Sequence, residues 1–400
     1  MNHVESTLIE IWPELIPHLN TLHIIDCQLH TSFMSIENSM VVKDIADAIT
    51  NGKLKILFYM PPEGPDIETL TKLNQIADLL QSGRSVQRGI WAGSPAGRRA
   101  ADLLQGICNS TDLIYLTGAV DGKEVYESVY ISENWKNKLT VITTNANFHG
   151  KWLHPALSAL EHSTTYHIKY KEKIFLCFNR MPRQHRLDLL EMMLEHNYVK
   201  LGFYSFNLDL IDSLAVYHYF ESDPNRYITI KNNKNMFPLL LNMTEKRLNP
   251  VDLIIDDFRY FEESYFSIVT ETAFYDKQSH GINSTFITEK TMKCFIKFHP
   301  FIMIGRPHSL LALKKLGYQT FTPMIDESYD SIENDDDRLS MIFLEIHKLM
   351  SKTPAEWIVW QTQIKEIVIH NNNIFKLSRT HYSSINNIKD VIYGDTYNFR

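Results

Sequence analysis

Short apolar runs of strand length alternate with segments whose apolar residues recur at helical spacing, through most of the chain. The runs Leu22–Ile25, Leu54–Met60, Leu113–Thr117, Leu139–Thr144, Ile174–Phe178, Val199–Phe203, Leu253–Ile255, Phe266–Thr270 and Phe301–Ile304 are expected to be strands. Several are hydrophobic without a break, as in parallel strands covered on both faces. Between them, Ile67–Leu80 sets Leu70, Leu73, Ile76, Ala77 and Leu80 on one helical stripe. Leu187–Leu194 follows Pro182 and Leu310–Leu316 follows Pro307, both in helical pattern. Alternating strands and helices of this kind predict a doubly wound α/β chain.

A polar, irregular stretch between Asn145 and Lys173 separates two strand-rich halves. The expected division is residues 1–160, residues 161–352 and a C-terminal helical segment 353–400. Each half is about the size of one Rossmann-like unit, and two such units facing each other would leave a ligand cleft at the carboxyl ends of their strands. The last segment carries Trp357, Trp360, Ile364 and Ile367 and is expected to pack across both domains.

Composition narrows the class. With 44% hydrophobic and 12% aromatic residues the chain can build real cores, which excludes disorder as its main state. The net charge of −7 excludes a general basic field for nucleic acid or anionic membranes, while leaving room for a local basic groove. Cys27, Cys108, Cys177 and Cys294 form no CxxC pair, so neither a local zinc cluster nor a disulfide framework is expected. The opening stretch is broken by Glu5, Glu10, Pro13, Glu14 and Pro17, unlike a signal-peptide core. The apolar runs are too short to span a bilayer. A soluble, cytoplasmic protein with no membrane segment is expected.

Three local patterns carry chemistry. The first is FITEKTMKCFI, residues 286–296, leading to HPFIMIG at 299–305. Thr288 suits an N-cap, with Glu289 and Lys290 in the first turn and Met292, Phe295 and Ile296 on one face. A helix N-terminus offers free N–H groups and a positive dipole end, which suit phosphate oxygens; Lys290 adds charge, and Glu289 could accept from ribose hydroxyls. The same residues also read as an exposed first turn. The second pattern is CFNRMPRQHR, where Arg180, Arg183 and Arg186 follow a strand and open a helix. Guanidinium forks match a diphosphate, although a solvated basic loop has the same composition. The third is FSIVTE, which places Glu271 at the carboxyl end of a strand, either on the ligand side of the sheet or as a loop carboxylate without a role.

Taken together and in this order, these pieces resemble GT-B glycosyltransferases of the fucosyltransferase type, and the layout is similar to phage and giant-virus glycosyltransferase-like proteins. The matching positions are Lys173, Phe175, Phe178, Asn179, Arg183 or Arg186, Phe266, Ile268, Glu271, Phe286 to Lys290, Pro300 and Gly305. GRPHSLLALKKLGYQTF and IDESYD are similar to the viral branch, and the resemblance covers Lys173–Arg338. One departure is Phe178, where the family has a serine; another is that three arginines compete for one role. The resemblance implies two Rossmann-like domains facing a cleft, a UDP- or GDP-linked sugar as donor, no metal and no cofactor, and inverting transfer of a hexosyl or pentosyl group. It implies Lys290 and an arginine among Arg180, Arg183 and Arg186 on the diphosphate, with Thr288 capping the helix, Glu289 on ribose and Glu271 on sugar or ribose hydroxyls. The acceptor would be a hydroxymethylated pyrimidine in phage DNA or a saccharide, and the location the host cytoplasm if the protein is viral.

Transfer to a hydroxyl also needs a general base. Glu63 and Asp66 follow the strand ending at Met60 and are the candidates, with Asp26 and His149 as further acids or bases; a Pro/Gly-rich turn with solvated acids is the plainer account of MPPEGPD. Gly89, Gly93 and Gly97 with Arg84, Arg88, Arg98 and Arg99 could line an acceptor groove. Asp256-Asp257 and the acids at 335–337 are read as solvated or helix-capping rather than metal-binding. The alternative function is a non-catalytic nucleotide-binding module with a degenerate transferase fold.

Overall fold

The computed structural model describes residues 22–26, 55–60, 70, 71, 74, 112–117, 121–135, 139–143, 166–179, 182–206, 225–237, 239, 241, 258–275, 285 and 287–380. The chain divides into two compact units. One comprises Met1–Lys151, Asp276–Phe286 and His381–Arg400; the other comprises Trp152–Tyr275 and Ile287–Thr380. Among the described residues each holds four parallel strands in one sheet, so the fold class is α/β.

In the first unit, β1 (Leu22–Asp26), β2 (Lys55–Met60), β3 (Asp112–Thr117) and β4 (Thr140–Thr143) lie side by side in chain order. Register runs Leu22 to Lys55, Lys55 to Asp112 and Ile114 to Thr140. Helix α1 (Gly122–Ser132) supplies the crossover from β3 to β4. Its Tyr126 is fully buried, and the phenol oxygen accepts the Leu139 N–H at 2.7 Å, tying helix to strand entry. Leu70 and Asn74, one helical turn apart in the segment read as an amphipathic helix, are both buried.

In the second unit, β5 (Lys173–Asn179), β6 (Gly202–Phe206), β7 (Ser264–Thr270) and β8 (Phe301–Ile304) stand in the order β6-β5-β7-β8. Every residue of β7 and β8 is buried, although β8 is the last described strand of the sheet, as expected when both faces of a parallel sheet are covered. Helix α2 (Gln184–Glu195) joins β5 to β6. The short α3 (Ile228–Asn232) and α4 (Phe258–Glu262) lie between β6 and β7. Helix α5 (Glu289–Ile296) joins β7 to β8, and α6 (Ser309–Lys315), α7 (Asp335–Met350) and α8 (Pro354–Thr380) follow among the described residues.

One strand differs from expectation. The run Val199–Phe203 begins not as strand but as a 3-10 turn, Tyr198–Leu201, entered through left-handed Asn197. The strand starts at Gly202, where a Cβ would stand 2.4 Å from the Phe175 ring, so only glycine lets β6 approach β5 there. The candidate strand Leu253–Ile255 lies outside the described residues.

Helix α8 packs within the second unit. Trp357 stacks on Tyr265 with ring centroids 4.6 Å apart and lies against Phe266 and Trp360. Farther along, the Asn372 amide donates to the carbonyls of Phe295 and Ile296, satisfying the open end of α5. Asn334 caps α7 by accepting the N–H groups of Asp336 and Asp337, so the acidic run is a helix start. No helix among the described residues is long and apolar enough to cross a membrane.

Candidate functional site

The second sheet reverses direction between β5 and β7: the chain leaves β5 for β6 on one side, then returns to lay β7 on the other. Such a topological switch point opens a crevice at the carboxyl ends of the two strands. Asn179 ends β5 and Thr270 ends β7, and their side chains meet there, the Thr270 hydroxyl donating to Asn179 Oδ1 at 2.6 Å. The Asn179 amide in turn donates to Cys177 Sγ at 3.1 Å. Burial pushes the Cys177 and Cys294 thiols up to about 12, so neither is a thiolate nucleophile near neutral pH.

Two basic residues in the first turn of α2 latch onto the end of β7. His185 Nε2–H donates to the Glu271 carbonyl at 3.0 Å, and the ring stacks on Phe274. Arg186 Nη2 donates to the carbonyls of Thr270 and Glu271 at 3.1 and 3.4 Å. Both side chains are buried, whereas Arg183, the N-cap residue of α2, is half-buried. Burial holds the His185 pKa well below the usual histidine range, and the positive charges of Arg186, Arg183 and Lys290 push it the same way against the bond to Glu271. Burial therefore favours the neutral imidazole at His185.

On the other side, Glu271 reaches the start of α5. Its carboxylate accepts the Thr288 N–H at 3.1 Å and the hydroxyls of Thr288 and Thr291, each at 2.5 Å. Thr288 caps the helix through the Lys290 N–H, and the Lys290 ammonium donates to the same Thr288 hydroxyl at 2.9 Å. A carboxylate is favoured at a helix N-terminus, where free N–H groups and the dipole meet it. Glu271 thus fixes the end of β7, the capping threonine and the lysine in one network, with its own carboxylate committed to internal donors.

The loop 271–275 is held from two further directions. Asp188 of α2 accepts the Tyr275 hydroxyl at 2.5 Å, the Tyr227 hydroxyl at 2.8 Å and an Arg226 N–H at 2.6 Å. Arg338 of α7, almost wholly buried, donates to the Phe274 carbonyl at 2.9 Å with its guanidinium 4.4 Å from the Phe274 ring centroid.

Of the residues read from the sequence, the structure brings together Arg183, Arg186, Glu271, Thr288 and Lys290. Glu289 is the first residue of α5, and its side chain lies outside the described residues, as do Arg180, Glu63, Asp66 and His149. The arginines and glycines of 84–99 and the pair Asp256-Asp257 also lie outside them. Asp26 is the last residue of β1, so its backbone stands at that sheet's carboxyl edge. His185, Thr291 and Asp188 were not singled out by sequence. Thr291 has a local signal, standing one turn after the capping Thr288; His185 and Asp188 act on residues 86 and 87 positions away and carry none. No group of three or more His, Cys, Asp or Glu side chains among the described residues could hold a metal ion. No family model, curated protein or solved structure matches the chain.

Proposed function

We propose that this protein is a glycosyltransferase that moves a sugar from a UDP- or GDP-linked donor to a hydroxyl acceptor. The observation that supports the reading is the network at the switch point of the second sheet, in which buried Arg186 holds the Thr270 and Glu271 carbonyls while Glu271 holds the Thr288 hydroxyl that Lys290 meets. Loss of a nucleotide diphosphate places negative charge on the leaving group, and preorganised donors there lower the barrier. In this reading Lys290, Arg183 and Arg180 meet the diphosphate at the start of α5. Arg186, committed to backbone carbonyls, contributes charge and holds the crevice in shape; Glu271 holds Thr288 and Lys290 in position; Glu289 serves the ribose.

The two α/β units would then form the two lobes of a GT-B enzyme, with the acceptor and a general base, Glu63 or Asp66, supplied from the first. Inversion without a metal is the expected course, because cations of the protein take the part of a metal ion. Acceptors are a saccharide or a hydroxymethylated pyrimidine in DNA. Nothing in this reading requires a viral source.

Calorimetric titration with UDP and with GDP tests the donor site. One of the two is expected to bind, with Lys290→Ala weakening it at least tenfold and Arg183→Ala less. Absence of binding by either nucleotide would sink the reading. Binding without hydrolysis or transfer of any UDP- or GDP-linked sugar would instead favour a nucleotide-binding module on a degenerate transferase fold.

A further inference from the structure

Three aromatic rings meet where α2 and α7 end. His196 closes α2, Tyr198 opens the 3-10 turn that leads into β6, and His347 lies in the last turn of α7. The two imidazoles pack edge to face with ring centroids 4.4 Å apart, and the Tyr198 ring stacks on His196 at 5.5 Å. One nitrogen of each imidazole is taken. His196 Nδ1 stands 3.0 Å from the Met192 carbonyl, which can only accept. That nitrogen therefore carries the proton, and Nε2 of the neutral ring is a bare lone pair. His347 Nδ1 lies 2.8 Å from the Tyr198 hydroxyl. Neither Nε2 has a hydrogen-bond partner among the described residues. Partial burial, and after it the neighbouring His196, hold the His347 pKa below the usual histidine range, which favours the neutral ring.

A neutral imidazole with one nitrogen hydrogen-bonded to the protein is the form in which histidine ligates a transition metal, because that bond fixes tautomer and ring orientation. Two such rings on one ion, each nitrogen about 2.0–2.1 Å from it, place their centroids roughly 4.5–5 Å apart. The separation here is close to that. The carbonyl ends of both helices favour positive charge, and Lys348, beside His347, is already paired with Glu345. We infer that His196 and His347 form a two-imidazole site for a divalent transition-metal ion such as zinc. Nε2 of each ring is the ligand, the Tyr198 oxygen accepts from His347 Nδ1–H, and water fills the remaining positions. The rings stand just before β6, which begins at Gly202, and so at the amino end of the sheet. The crevice where Asn179 meets Thr270 lies at the carboxyl end. The ion is thus a staple between α2 and α7 and takes no part in the proposed transfer chemistry.

Calorimetric titration of the full chain with zinc chloride alone, near neutral pH, tests the site. Zinc is expected to bind in the micromolar range, and His196→Gln and His347→Gln should each weaken that binding at least about tenfold. Zinc should also raise the thermal unfolding midpoint of the parent and of neither variant, since an ion that binds only the folded chain stabilises it. Unfolding of each variant without zinc near the parent temperature shows that lost binding reflects a lost ligand rather than a misfolded chain. His196 is exposed, so its variant tests the site even where His347→Gln fails to fold. No zinc binding by the parent, or binding that persists undiminished in either folded variant, overturns the site.

Discussion

The two sheets use the same material in different orders. Both have four parallel strands built from short apolar runs, but the first runs β1-β2-β3-β4 and the second β6-β5-β7-β8. Right-handed crossovers that all step one way lay their connections on a single face. Where the order reverses, successive connections leave toward opposite faces and the strand ends between them are left open. In the second sheet that opening falls between Asn179 and Thr270, and the basic first turn of α2 and the capped start of α5 close on it from either side. Neighbouring strands of the first sheet, as described, show no reversal. Among the described residues, the buried polar network thus gathers where strand order, rather than strand composition, differs.

That contrast can be broken experimentally. The largest effect is expected from Trp357→Ala, which removes a buried ring stacked on Tyr265 and should cost about 3–5 kcal/mol. Hydrogen exchange should show lost protection in β5 and β7 with β3 unchanged; equal loss in both sheets would contradict the division into separate cores. Next, Glu271→Ala leaves three donors at the start of α5 without their acceptor, at about 1–3 kcal/mol for each group left unsatisfied. Urea denaturation should show a loss of about 3 kcal/mol or more, and a loss under 1 kcal/mol would mean that the carboxylate does not hold the helix.

Acid should act on the second unit through His299. Its Nε2–H donates to the Ser264 carbonyl at 2.9 Å and its Nδ1 accepts from Ser267 Oγ at 2.7 Å, so only the neutral ring satisfies both. Burial lowers its pKa to about 3 from an unfolded value of 6.5. Between those values the unfolded chain binds a proton that the native chain does not, so stability falls as pH drops from 6.5 toward 3. His299→Asn should flatten that dependence by up to about 1.4 kcal/mol per pH unit, one proton's worth; an unchanged slope would show that the ring is protonated in the native state. The smallest effect belongs to the first unit. Tyr126→Phe removes the acceptor of the Leu139 N–H and should cost about 1–2 kcal/mol without altering nucleotide binding, a comparison that a changed nucleotide affinity would overturn.

Much of the second unit was legible from local pattern. The strands ending at Phe178, Thr270 and Ile304, the proline-led helix after β5 and the threonine cap of α5 all follow from residues within a turn or two of one another. Gly202 was not legible, because its requirement comes from Phe175 on the neighbouring strand. Arg338 reads in sequence as part of an exposed acidic run, yet it is buried against Phe274, 64 residues away. Among the three arginines of the α2 loop, sequence offered no way to rank them; burial against the Thr270 and Glu271 carbonyls distinguishes Arg186 from half-buried Arg183.

Apolar periodicity, caps and turn residues act over a few positions, so the sequence by itself determined which segments are strands and helices and that they alternate as in an α/β chain. Strand order, the switch point and the pairing of Glu271 with Thr288 depend on contacts between segments far apart along the chain. Their free energy comes from burial and from satisfying polar groups that local pattern does not connect. Only the tertiary structure decided that Arg186 of one loop and Lys290 of another are joined through Glu271 and Thr288.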